Sequence, residues 1–182
     1  MKRVLLVPLA WTTLLMACNE QGDSARKSEV LPSTLKTAMT NVVDPQAQIL
    51  WNASNKTYKE DGSTDPTRLS EADWMAVLGA GEKLQAQANA WASTRIVVAA
   101  PREKIRDEGN PGASNSMQVQ KYIDADRQGF SAFAKLLAAN AAQFVAASKR
   151  RDAAKLAEAS GELEELCEAC HREFWYPQLA SQ

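Results

Sequence analysis

The stretch Cys167-Glu168-Ala169-Cys170-His171 gathers the chain's single histidine and two of its three cysteines into five consecutive positions. Two thiols three residues apart on a helix lie one turn apart on the same face. The C-x-x-C-H spacing is that of c-type haem attachment. Each thiol adds its S–H across one vinyl group to form a thioether, and the imidazole that follows is placed to ligate the iron from the proximal side. Other chemistries use the same residue types. A thiol–disulfide site also uses C-x-x-C, but in a βαβ setting that this sequence lacks. A zinc site needs four ligands, and two cysteines with one histidine leave it one short. A buried or disulfide-bonded cysteine pair beside a surface histidine is the plain structural alternative. With the one histidine committed, no Ser-His-Asp arrangement is available, and the expectation is a haem protein rather than an enzyme. Cys167, Cys170 and His171 are therefore the predicted holders of one covalent haem c per chain.

The third cysteine belongs to a different element. The chain opens "MKRVLLVPLAWTTLLMACNEQGDS", with Lys2 and Arg3 ahead of a mostly apolar run over 4–17. That is the length of a signal-peptide core and too short for a spanning helix. "LMAC", Leu15 to Cys18, resembles the lipobox of bacterial lipoproteins. The resemblance implies cleavage after residue 17, lipidation of Cys18, and a membrane anchor of two or three acyl chains, enough for stable attachment. Asn19, rather than aspartate, after the cysteine implies the outer membrane and a domain on the periplasmic side. Residues 18–32 are polar and aperiodic and read as a flexible tether, leaving 33–182 as the folded domain. Loss of 1–17 removes Lys2 and Arg3 and no carboxylate, leaving 19 basic and 22 acidic residues and a net charge of −3. That balance gives no basic footprint for nucleic acid. Past the leader no apolar run is read as long enough to span a membrane.

The domain must position the three site residues, and its pattern is helical. Four amphipathic stretches recur at steps of three and four. The first, 33–54, carries Leu35, Met39, Val42, Gln46 and Ile49, with Val43 and Leu50 widening the face. Pro45 lies within it and predicts a kink, or a break after Val43. The second starts at Ser70, with a capping box to Asp73. It carries Trp74, Leu78, Gly81, Leu84, Ala88 and Trp91 and ends before Pro101. Gly81 on this face predicts close approach of a neighbouring helix or of a flat ligand. A charged connection, 101–116, leads to a third helix over 117–148 with Phe130, Phe133, Leu137, Asn140 or Ala141, and Phe144. The fourth, 150–175, carries Leu156, Ser160, Leu163, Cys167, Cys170 and Phe174. The prediction is an all-α fold, an antiparallel up-down-up-down four-helix bundle. Its alanine-rich stripes give close packing in some layers and room for a cofactor in others.

A helical bundle with C-x-x-C-H in its last helix resembles the cytochrome c-prime family, the class II c-type cytochromes. Two stretches carry the resemblance: "CEACHREFW", and "LKTAMTNVVDPQAQILW" at 35–51, where a methionine is followed several residues later by a proline. The resemblance implies that the first helix faces the distal side of the haem and that Met39 either ligates the iron or lines the distal pocket. Ligation by Met39 implies electron transfer, with a redox partner protein in the periplasm or membrane. An unligated, five-coordinate iron implies binding of nitric oxide or carbon monoxide, for sensing, scavenging or storage. Bis-histidine ligation within one chain is excluded, since His171 stands alone. The resemblance leaves two assembly states open for this chain, a monomer or the homodimer that many members form. Its members commonly carry a basic residue four after the histidine. Here that position is Trp175, with Arg172 the nearest cation, and Trp175 and Tyr176 stand as a cover for the imidazole or a cap on the helix end. Glu162, Glu164, Glu165 and Glu168 read as a solvated face suited to a basic redox partner.

Overall fold

Helix α1 (35–57) begins at Thr34, whose hydroxyl accepts a hydrogen bond from the Thr37 N–H at 3.2 Å. The structure, a computed structural model, describes residues 34–177. The predicted leader, Cys18 and the tether fall outside the described residues. α1 is continuous but not uniform: Leu35–Ala38 is α-helical, Met39–Val43 is a π turn, and Asp44–Thr57 is α-helical again. Pro45 accounts for this. It has no N–H to donate, and its ring crowds the carbonyl four residues back. The wider turn accommodates the ring, and the Asp44 N–H bonds instead to the Met39 carbonyl, five residues earlier. The chain thus absorbs its proline without the predicted break.

The inserted residue also turns the helix face. One extra residue rotates everything downstream by about 100°. Leu35 and Met39 are part-buried as expected, but beyond them the buried stripe is Val43, Ala47, Leu50, Ser54 and Thr57, while Ile49 is exposed. The predicted continuation through Val42, Gln46 and Ile49 is therefore corrected by one position.

Helix α2 (Glu71–Ser93) starts with the predicted capping box. Ser70 Oγ accepts from Asp73 N at 3.1 Å, and the Asp73 carboxylate accepts from Ser70 N at 3.0 Å. Lys56 Nζ donates to the same carboxylate at 2.6 Å and ties the end of α1 to the start of α2. The Lys56 ammonium first, and then Ser70, hold the Asp73 carboxyl down at about 2. The folded value lies below the ordinary 3.8, so the carboxylate stabilises the fold above pH 3.8 and that support is lost as pH falls toward about 2. Asp73→Asn is expected to lower the melting midpoint at neutral pH and to converge with the native protein near pH 2. Melting curves of both proteins across that range test this. A gap that stayed constant down to pH 2 would mean that the charge plays no part.

α2 ends at Ser93, well short of Pro101. The β-branched run Ile96-Val97-Val98 is extended, with Ile96 and Val98 buried and Val97 exposed. Its carbonyls have a use: those of Val97 and Val98 accept the Leu35 and Lys36 N–H groups at 2.8 and 2.9 Å, two donors that the first turn of a helix cannot satisfy internally. The Gln120 amide pairs with the Val98 N–H and the Ile96 carbonyl at 2.9 and 3.1 Å, as a neighbouring strand would.

The predicted third helix is two helices. α3 (Ser116–Ala125) and α4 (Arg127–Arg150) meet at Asp126, whose backbone leaves the helical region and whose carboxylate accepts the Gly129 N–H at 2.8 Å. A Cβ at position 129 would stand 2.0 Å from that carboxylate, so glycine is what lets the internal cap form. Arg151 and Asp152 then make a tight turn into α5 (Ala153–Phe174), which Asp152 caps through the Lys155 N–H at 3.0 Å.

α1, α2, α4 and α5 close a ring in which each packs on two others, α1 on α2, α2 on α4, α4 on α5 and α5 on α1. Direction follows from the pairings. Ser148 Oγ donates to the Trp74 carbonyl at 2.6 Å, Gly81 faces Ala141 and Val145, and Trp91 meets Phe130 at 6.3 Å. One index falls as the other rises, so α2 and α4 are antiparallel. Asn140 with Ala159 and Phe130 with Phe174 give the same result for α4 and α5. The fold is the predicted all-α bundle, with no strand among the described residues beyond an isolated bridge of Tyr58 with Thr64. Gly81 serves helix approach: a Cβ there would lie 3.0 Å from Val145 Cγ2 and 3.2 Å from the Ala141 carbonyl. One expectation needs correcting. By length and composition alone the 24-residue α4 could cross a membrane. Its apolar side is instead spent inside the bundle, where Phe130, Leu137, Ala141, Phe144 and Ala147 are all buried.

Candidate functional site

Along most of α5 the inward stripe is sealed, with Leu156, Ala159 and Leu163 fully buried. It opens in the last two turns, where Leu166, Cys167, Cys170 and His171 are only part-buried. Opposite them α1 and α4 present alanines, Ala47 and Ala134, where bulkier residues would fill the layer. The result is a largely apolar cavity, open at one side and walled by four helices. α5 contributes the two thiols and the imidazole. α1 contributes Met39, Val43, Ala47 and Trp51, spaced every four residues once the π turn has set their register. α4 contributes Phe130, Phe133 and Leu137, and α2 contributes Trp91. The helix that carries Met39 and the helix that carries His171 thus form two walls of one cavity.

Cys167 and Cys170 are free rather than bonded to each other. Burial pushes the Cys167 thiol up to about 11 and the Cys170 thiol to about 12. Both are neutral at physiological pH, the reverse of the low-pKa thiolate that disulfide-exchange chemistry uses. Among the described residues no group of three or more His, Cys, Asp or Glu is arranged to hold a metal ion unaided. Burial lowers the His171 pKa, against the opposing pull of Glu168 and Asp44. This favours the neutral imidazole, the form that ligates.

Behind His171 the residues Trp175 and Tyr176 fold back over the helix end. Their N–H groups both bond to the His171 carbonyl, at 2.8 and 3.0 Å. The Trp175 ring meets the imidazole edge-on at 4.9 Å, and Tyr176 Oη donates to Glu168 at 2.6 Å. They cap the helix and cover the imidazole at once. Arg172 points to the surface and lies 3.7 Å from Glu168.

The apolar cavity adjoins a second, more open cleft, and Met39, Asp44 and His171 line both. The connection between α2 and α3 forms its far side with Lys104, Ile105 and Arg106. Two ion pairs hold this connection to α1: Lys36 with Glu103 at 2.7 Å, and Arg106 with Asp44 at 2.8 Å. The segment 101–116 therefore folds against the end of the bundle through turns rather than helix.

These residues fit a haem c. The donor set is two neutral thiols one helical turn apart and a desolvated imidazole, on a wall facing aromatic and aliphatic side chains. The indole Nε1–H of Trp51, in that cavity's wall, is buried without a partner. Sequence reasoning missed Trp51, Asp44 and Trp91 as wall residues. Trp51 had a readable signal, the four-residue spacing from Met39 through Val43 and Ala47, but only if the π turn was foreseen.

A family model described as Cytochrome C' matches residues 75–175. The matched span takes in nearly all of α2, all of α3 and α4, and α5 with Cys167, Cys170 and His171, and leaves out α1 and Met39. No curated protein and no solved structure matches the chain.

Proposed function

The chain belongs to the cytochrome c′ family and is by that membership a haem-binding c-type cytochrome; from this premise we propose that it is an electron carrier with one covalent haem, tethered to the periplasmic face of a bacterial membrane. The observation that carries the proposal is the shared cavity, with the Met39 thioether on α1 and the His171 imidazole on α5 both lining it. A bound haem supplies a one-electron iron couple at this position. Cys167 and Cys170 would hold it by thioether bonds and His171, kept neutral by burial and packed against Trp175, would ligate its iron. Met39 would supply the sixth ligand, and a methionine sulfur there would raise the reduction potential. Phe130, Phe133 and Leu137 exclude water from the ring. Glu164, Glu165 and Glu168, exposed on the outer side of α5, offer an acidic face to a basic redox partner. Lipidated Cys18 and the 18–32 tether keep the carrier at the membrane, the outer membrane on the reading of Asn19.

The apolar character of the wall around Met39 favours a second reading. Val43, Ala47, Phe133 and Leu137 offer no polar group to a bound ligand and suit small neutral molecules, nitric oxide or carbon monoxide, at a five-coordinate iron. Absorption spectra of the haem-loaded protein and of Met39→Ala separate the two. Electron transfer predicts a low-spin native protein that resists carbon monoxide and a Met39→Ala variant that is high-spin and binds it. A native protein already high-spin, with Met39→Ala unchanged, would install the gas-binding reading.

A further inference from the structure

The second cleft has a charge pattern that the apolar cavity does not. Three cations line it, Lys36, Lys104 and Arg106, against one carboxylate, Asp44. Lys36 is committed to Glu103 at 2.7 Å. Arg106 gives one terminal nitrogen to Asp44 at 2.8 Å, in a solvent-exposed pair that leaves the rest of its fork free. Lys104 is exposed and has no hydrogen bond or ion pair among the described residues. Trp175 lines the same cleft, and its indole Nε1–H is buried with no acceptor. A buried donor without an acceptor is unfavourable, and here it coincides with an excess of cations. Beside the Asp44 carboxylate and the Thr40 hydroxyl, the cleft thus carries a surplus of donors and positive charge. The complementary ligand is an anion with several acceptor oxygens, and guanidinium and ammonium groups suit carboxylates well.

The adjoining cavity says which anion. Its wall is apolar and aromatic, and Met39, Asp44 and His171 belong to both spaces. A flat apolar group with carboxylates along one edge matches the two in order. We propose that the second cleft receives the two propionate carboxylates of the haem, bound by Lys104 and Arg106 of the α2–α3 connection and by the Trp175 Nε1–H. This rests on the haem reading above. It gives the connection a role: the Lys36–Glu103 and Arg106–Asp44 pairs hold it where its cations face the cleft. It also makes Trp175 serve two ends, its ring against the imidazole and its N–H toward the propionates.

The test uses the haem-loaded protein in four forms: native, Lys104→Ala, Lys104→Ala with Arg106→Gln, and Trp175→Phe. Resonance Raman spectra read the propionate bending bands, and a spectroelectrochemical titration reads the midpoint potential. The expected result is a shifted propionate band in every variant and a lower midpoint potential in the lysine and double variants, since removing cations near the haem disfavours the added electron. Lys104→Ala has no hydrogen bond or ion pair to lose among the described residues and keeps the test valid if the double variant folds poorly. Loaded variants with native bands and native potential would overturn the proposal. So would variants whose only change is weaker association with an acidic protein, which would assign the cleft to docking. A native protein carrying no covalent haem would overturn the functional reading together with this one, and that result is distinct from loaded protein whose bands do not move.

Discussion

Cys167→Ala/Cys170→Ala is expected to produce a folded helical bundle from which all haem can be extracted by acid and organic solvent. The structure separates the two roles that these side chains could have. Neither thiol is in a disulfide, and neither is among the fully buried core residues. Alanine is the better helix former, so α5 loses nothing in its own preference. The only function removed is bond formation at the cavity. Circular dichroism should therefore match the native protein, while intact mass should fall by the haem as well as by two sulfurs. Each single replacement leaves one thioether and is expected to retain haem in reduced yield. His171 remains in both cases, so residual haem in the double variant would be held by ligation alone and would leave on extraction. Haem that resists extraction from the double variant would sink the attachment reading and return these thiols to another chemistry.

Phe144→Ala is expected to do the opposite, weakening the fold while sparing the site. Phe144 is fully buried on α4 and is the largest side chain so enclosed among the described residues. Truncating a core phenylalanine costs about 3–5 kcal/mol, because the surrounding helices close only part of the space left behind. For a domain of this size that corresponds to a fall of roughly 10 °C in melting temperature. The cavity wall on the same helix ends at Leu137, seven residues or about two turns away. The absorption spectrum and midpoint potential should therefore stay native at temperatures where the variant is folded. A variant with altered haem spectra but native stability would show that the bundle transmits changes along α4 to the site. A variant altered in neither would mean that its neighbours refill the space.

Where local chemistry decides, the residues speak for themselves. Cys167, Cys170 and His171 are brought to one end of α5 by spacing alone. The capping box of Ser70 and Asp73 needs no more than four consecutive residues. The all-α bundle follows from stripes that repeat at three and four, because each stripe must be buried against another. Tertiary structure decided what depends on a long-range partner. The run Ile96-Val97-Val98 is extended rather than helical because its carbonyls complete the first turn of α1. α3 and α4 are separate because Asp126 caps inward onto a glycine, a competition between two local patterns that periodicity cannot rank. Pro45 was visible, but its consequence was not. The π turn that takes up its ring adds a residue to the helix, and that single inserted residue sets Met39, Val43, Ala47 and Trp51 along the wall of the cavity that the thiols also line. The pairing of Arg106 with Asp44 across 62 residues is likewise a product of the fold. The candidate atoms, two thiols and an imidazole, were legible in the chain alone, since covalent spacing on one helix suffices to bring them together. The tertiary structure decided what surrounds them, because a cavity is made by helices far apart in the chain and exists only once they pack.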